Sequence, residues 1–347
     1  MAWTWSARYA AAVAKGETTY GILSLDGGGS RGVISVVLLR ELEKRVPGFL
    51  QRIDLFAGTS IGAANAVALA QGHAPATMVE FYKHHGRELF HARMRPRGWL
   101  RLVVRLLERV PGVGSLVDDV DSLFLPKWTI HGLETQIREF FGATPCLRDV
   151  PKTVLLPALK LEGKGEGDEG SGLTAVCMHN FDGSPYADTP VHSALLRSMA
   201  APVYFASHEG YVDGGLFAAN PCIAALGAAV ASDKGNRELS SVRMLSVGAG
   251  ICPDGIPHKG RLTWGLLKWG PRIMDASVNG VAEFDCDQAR ALLSERFCRL
   301  NVVLPRTFAL DDYREIPTLE RLAEEAVASR AFDEAARFVE RSFGAAA

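Results

Sequence analysis

Two glycine-dense turns, each wedged between an apolar run and a helical run, constrain this chain more than any other feature. Thr18 to Leu25 reads as a buried strand, followed at once by Asp26-Gly27-Gly28-Gly29-Ser30-Arg31-Gly32 and a helical pattern over Val33 to Val46. In that pattern Val36, Val37, Leu39 and Leu42 alternate with Arg40, Glu41 and Lys44 at helical spacing, and Pro47-Gly48 stops it. The unit then recurs: a short strand over Ile53 to Ala57, the turn Gly58-Thr59-Ser60-Ile61-Gly62, and a small-residue helix over Ile61 to Ala70. Strand, helix, strand, helix leads to an α/β fold, with a mostly parallel central sheet covered by helices on both faces.

Downstream, the pattern predicts helices over Ala76 to Phe90 and Thr129 to Phe141, then strands over Thr153 to Leu161 and Leu173 to His179. The polar tract Glu162 to Gly170 between those strands reads as an exposed hairpin loop. A helix over Val191 to Tyr204, a strand end at Tyr211 to Val212, an Ala-rich helix over Cys222 to Ala231 and a strand over Val242 to Val247 follow. Beyond them, Glu283 to Phe297 and Leu319 to Phe343 look helical around a strand at Leu300 to Leu304. With no internal repeat and no low-complexity linker, residues 1–347 read as one domain, its motifs within 18–222 and a helical C-terminal elaboration over 255–347.

At 48% hydrophobic residues the chain can bury a large core, and its net charge of -1 gives no global attraction to nucleic acid. The six cysteines include no C-x-x-C pair, so no metal site is expected, and free thiols point to a reduced, cytoplasmic setting. Met1 to Gly16 lacks the unbroken apolar stretch of a signal peptide. No apolar run reaches the roughly 18 residues of a membrane span, so any membrane contact is expected to be peripheral.

Three motifs carry chemistry. Gly58-x-Ser60-x-Gly62 lies between strand and helix, where a sharp turn lifts a serine hydroxyl to a helix N-terminus. Gly27, Gly28 and Gly29 leave backbone N–H groups unobstructed, as an oxyanion requires. Gly27, Gly29 and Gly32 also satisfy the dinucleotide pattern G-x-G-x-x-G, but the nearest acid, Asp54, starts its strand and does not end it. Arg31 could meet a substrate phosphate or brace the loop. The third motif, Asp213-Gly214-Gly215, sets a carboxylate at a strand end; by itself it reads first as an ordinary turn.

A Ser–acid–His triad lacks its histidine. His258 sits in a loop without a supporting strand, and His208 precedes Asp213. A carboxylate can serve as the base if desolvation raises its basicity.

D-G-G-G-x-R-G, G-x-S-x-G and D-G-G, in this order between about Tyr20 and Pro221, resemble the patatin-like phospholipase family. The resemblance implies a patatin-like three-layer fold, a Ser–Asp dyad of Ser60 and Asp213, and an oxyanion hole from Gly27, Gly28 and Gly29 with Arg31 as its brace. It assigns supporting positions to Gly58, Gly62, Gly214 and Gly215. It also implies hydrolysis of lipid acyl esters without calcium or other cofactor, with a lipid ester as partner and a membrane or micelle surface as the place of work. Two rivals stand beside it: a short-chain carboxylesterase using the same residues, and a nucleotide-binding protein using the glycine loop. Residues 91–128 form a candidate lid or interfacial segment, because Arg101, Arg105 and Arg109 recur at helical spacing beside Leu102, Val103, Leu106 and Val110, with Trp99 leading.

Overall fold

The computed structural model describes residues 19–90, 126–142, 145–162, 172–253 and 277–344. The first strand, β1 (Tyr20–Leu25), is buried at every position, as befits a central strand covered on both faces. It leads into α1 (Gly32–Arg45), β2 (Leu55–Gly58), α2 (Ile61–Ala70), α3 (Pro75–Leu89) and α4 (Ile130–Phe141). Then come β3 (Thr153–Lys160), β4 (Thr174–His179), α5 (Val191–Met199), β5 (Tyr211–Asp213), α6 (Cys222–Val230) and β6 (Val242–Val247). The described chain closes with α7 (Ala282–Leu293), β7 (Phe297–Leu300), α8 (Ile316–Ala326) and α9 (Arg330–Phe343).

One sheet runs in the order β4-β3-β2-β1-β6-β7, with β5 paired to β3 off this path. The pairs β3–β2, β2–β1, β1–β6 and β6–β7 are parallel, and only β4 and β5 run against β3. The mostly parallel, helix-covered sheet expected from the sequence is what the chain forms. Alternate side chains of each strand enter separate cores. Leu23, Leu25, Phe56, Val154, Leu245 and Val247 meet helices α1 to α5, α8 and α9. Tyr20, Ile22, Leu55, Ala57, Val242 and Met244 meet α6 and α7 on the other face. This period-2 partition makes the three layers.

From β1 the chain winds one way to β2 and β3, and later the other way from β6 to β7. The strand order therefore reverses between β1 and β6, and ligands of such sheets bind beyond the strand ends at that reversal. The glycine loop after β1 and the Gly248-Ala249-Gly250 turn after β6 both lie there.

Some boundaries differ from expectation. The helix from Val191 ends at Met199, not Tyr204, because Pro202 cannot continue it and disfavours helical backbone at Ala201. The single helix expected over Leu319 to Phe343 is two, separated at Ser329, whose side chain caps α9 by accepting the Phe332 N–H at 3.2 Å. The C-terminal strand lies at Phe297–Leu300, before the Leu300 to Leu304 expected, and as β7 it completes the sheet. The basic stretch with Trp99, Arg101, Arg105 and Arg109, the tract 163–170 and His258 lie outside the described residues.

Candidate active site

β2 ends at Gly58 and α2 starts at Ile61, so only Thr59 and Ser60 make the turn. Ser60 adopts φ 56° and ψ -127°, a strained conformation for a residue with a side chain. The turn closes so tightly that a Cβ on Gly58 would lie 2.0 Å from the Gly62 oxygen, and one on Gly62 would lie 2.5 Å from the Leu25 oxygen. The two glycines thus permit the turn to close on itself and to press against β1. Two side chains pin it. The Thr59 hydroxyl donates to the Ala218 carbonyl at 2.6 Å, and the Ser60 N–H donates to Ser198 Oγ at 3.2 Å.

Asp213 arrives from the other side of the fold. β2 occupies one edge of β3 only as far as Leu155, which faces Ala57. Beyond that point β5 takes over, antiparallel, with Asp213 facing Ala158. A two-residue turn feeds β5: Glu209 and Gly210 both have positive φ, and His208 and Tyr211 exchange backbone hydrogen bonds of 2.9 Å, the pattern of a type I′ hairpin. The ends of β2 and β5 therefore point at each other, and Ser60 and Asp213 line one cleft, near enough for the serine to lower the Asp213 pKa.

Asp213 is only 3% exposed. Its Oδ1 accepts the Gly215 N–H at 2.7 Å. Gly214 fits because the Pro157 oxygen would lie 2.4 Å from any Cβ there. Desolvation raises the carboxyl pKa from 3.8 to about 6, against the lowering effects of nearby Ser60 and of the Gly215 hydrogen bond. The result is a far better base than an exposed aspartate.

In the glycine loop the Gly27 N–H donates to the Ala219 carbonyl at 2.9 Å. Gly27 is thereby removed from the expected set of oxyanion donors; its N–H ties the loop to the segment after Asp213. Among the described residues no hydrogen bond takes the N–H of Gly28 or Gly29. Arg31 is buried, and both its backbone N–H, at 3.2 Å, and its Nε, at 3.4 Å, donate to the Gly28 carbonyl. Because a peptide is planar and trans, fixing that carbonyl turns the Gly29 N–H the opposite way.

Gly28, Gly29, Ser60 and Asp213 line one cleft whose other walls are apolar, among them Ile61, Leu89, Phe90, Leu133, Met199, Phe205 and Leu310. No histidine is among its described lining residues. His208 instead bridges to Tyr211 and lies beside Glu209. Asp54, the acid a dinucleotide ribose would need, accepts the Gly21 N–H at 2.7 Å at the start of the sheet, the end away from the glycine loop. No group of His, Cys, Asp and Glu among the described residues could hold a metal ion.

Four polar neighbours escaped the sequence reading: Ser198, which accepts the Ser60 N–H; Tyr82, which lines the cleft and donates to Asn65 Oδ1 at 3.1 Å; and Asn220 and Arg299, which both donate to the Asp26 carboxylate. Each is polar within an apolar pattern, but only Asn220, next to the third motif, offered a local signal.

A mostly parallel α/β sheet with a serine turn after β2, beside a glycine loop at the strand-order reversal, defines the class. The family model for patatin-like phospholipase matches residues 23–226, and the chain belongs to the patatin-like phospholipase family, hydrolases of lipid metabolism. It is 28% identical to the putative sporulation hydrolase CotR of Bacillus subtilis, over 94% of this chain and 98% of that protein. It is also 28% identical to protein teg of Priestia megaterium, over 94% of this chain and 99% of that one. A cGAMP-activated phospholipase of Escherichia coli is 29% identical over 58% of this chain and 53% of its own.

Proposed function

We propose that the protein hydrolyses acyl esters of lipids through a serine acyl-enzyme, with Ser60 as nucleophile and Asp213 as its base. The observation that carries this reading is that Ser60 and the buried carboxylate of Asp213 share one apolar cleft, with the Asp213 pKa raised to about 6. As Ser60 Oγ attacks the ester carbonyl, its proton passes to Asp213. The negative charge on the former carbonyl oxygen is met by the Gly28 and Gly29 N–H groups. Asp213 then returns the proton to the leaving alkoxide. Water, deprotonated in turn by Asp213, releases the acid from Ser60. A hydrophobic acyl chain in the cleft excludes water and so maintains the desolvation on which the basicity of Asp213 depends.

The apolar walls favour an acyl chain over a short soluble ester, and relatives named as phospholipases support the same direction. The protein has no described helix long and apolar enough to cross a membrane. Peripheral attachment through the basic stretch 91–110, six arginines against one glutamate, accords with a substrate held in a membrane surface.

A fluorophosphonate label, followed by mapping of the modified residue and product analysis from a mixed lipid extract, tests the proposal. Labelling at Ser60 with release of fatty acid is expected. Labelling elsewhere, or hydrolysis that survives Ser60→Ala, would overturn it.

A further inference from the structure

The family match ends at residue 226, yet two segments beyond it hold the glycine loop. The Ser30 N–H donates to the Leu310 carbonyl at 2.7 Å. On the other side of the loop lies Asp26, the residue that joins β1 to Gly27. Arg299, from the middle of β7, grips its carboxylate with both arms of the guanidinium: Nη1 to Oδ1 at 2.8 Å and Nη2 to Oδ2 at 2.6 Å. Both side chains are 8% exposed. Such a fork fixes the direction of the carboxylate as well as neutralising it.

The same carboxylate reaches the segment after Asp213. Asn220 Nδ2 donates to Asp26 Oδ1 at 2.8 Å and to Ser246 Oγ at 2.8 Å, and Arg299 Nη1 donates to Ser246 Oγ at 3.1 Å. Three consecutive residues there meet three catalytic-loop residues in turn: the Ala218 carbonyl accepts from Thr59, the Ala219 carbonyl from Gly27, and the Asn220 side chain donates to Asp26. The serine turn, the glycine loop and the aspartate segment are thus tied at one node, and Arg299 closes it from outside the family-matched region.

We propose that Arg299 is a positioning residue: through Asp26 and Asn220 it sets the Gly28–Gly29 N–H groups against Ser60 and Asp213. This rests on the hydrolase reading above. Arg299 does not line the catalytic cleft, so any effect on chemistry must act through the loop. Misplacing a reacting group by about 1 Å can cost about 10²-fold in rate, while a substrate that binds through the apolar walls should be held as before.

The test compares wild type, Ser60→Ala and Arg299→Lys for hydrolysis of a soluble p-nitrophenyl ester, for the rate of fluorophosphonate labelling at Ser60, and for melting temperature. Lysine keeps the charge but loses the fork. The expected result for Arg299→Lys is a kcat lower by about 10- to 100-fold, a KM within about twofold, and slower labelling in a folded protein. A kcat within threefold of wild type, or a loss carried by KM alone, overturns the proposal. Should Arg299→Lys not fold, the neutral pair Asp26→Asn with Arg299→Gln removes the buried charges together. Recovered folding with kcat still depressed supports positioning; kcat returning along with folding, or failure of both variants to fold, reduces the pair to a structural one. If wild type neither hydrolyses the ester nor labels at Ser60, it is the hydrolase reading that fails.

Discussion

Ser60 and Asp213 face one cleft, and the two residues hang from strands that share one edge of β3. β2 uses that edge up to Leu155 and β5 uses it from Ala158, so Leu156 and Pro157 span the gap between the strand ends. The gap is itself tied: Ser198 Oγ donates to the Pro157 carbonyl at 2.6 Å while accepting the Ser60 N–H. One strand therefore sets the distance between Ser60 and Asp213.

The strain at Ser60 predicts a trade between stability and activity. Ser60→Gly should abolish hydrolysis and melt above Ser60→Ala, because glycine tolerates φ 56° and alanine does not. The gain should approach about 1 kcal/mol, the lower end for such a backbone. Paired melting curves check it; equal melting points would show that Ser60 carries no strain.

Asp213 should impose a pH profile with opposite signs for activity and stability. With the ionised form as the proposed base, kcat/KM should rise with pH through about 6 and then level, and Asp213→Asn should be low and flat. The folded state holds this proton more tightly than the unfolded chain, whose value is 3.8. Its contribution to stability is therefore complete below about pH 4 and lost as pH rises through about 6. Asp213→Asn should accordingly be more stable than wild type at pH 7.5, on the order of 3 kcal/mol, and gain nothing at pH 4. Urea unfolding at the two pH values measures the difference.

Gly28→Ala should lower kcat by about 10². The added Cβ would lie 2.7 Å from the Ala249 Cβ, so the loop must shift. Ala249→Gly makes room, and the double variant should recover most of the loss. Rescue measured on a soluble ester separates a displaced loop from a direct role of the methyl group.

The cleft wall should govern chain length. Leu133→Trp narrows the apolar cleft from α4 and should reduce kcat/KM on a long-chain p-nitrophenyl ester by tenfold or more, leaving the acetate ester within about twofold. An equal fall on both would place the acyl chain elsewhere.

The strand–turn–helix units of β1–α1 and β2–α2 were legible because each is local. Apolar runs, helical spacing and glycine punctuation lie within about 30 residues of one another, and a parallel βαβ unit follows from them. The three motifs were visible for the same reason. Helix ends were less so: Pro202 marked the end of α5 only when read as a stop, and Ser329 became a cap only once α8 and α9 packed as separate helices.

Residue type and order along the chain by themselves determined the parallel α/β class and the candidate nucleophile, carboxylate and glycine loop, since glycine needs and hydrophobic periods are short-range properties. The tertiary structure alone decided that Asp213 meets Ser60, that Gly27 is bonded to Ala219 and so leaves Gly28 and Gly29 to face the cleft, and that Arg299 grips Asp26. Those contacts join residues far apart in sequence, on or just beyond strands β1, β2, β5 and β7. Their geometry depends on sheet register and burial, which arise only when the whole sheet assembles and water leaves it.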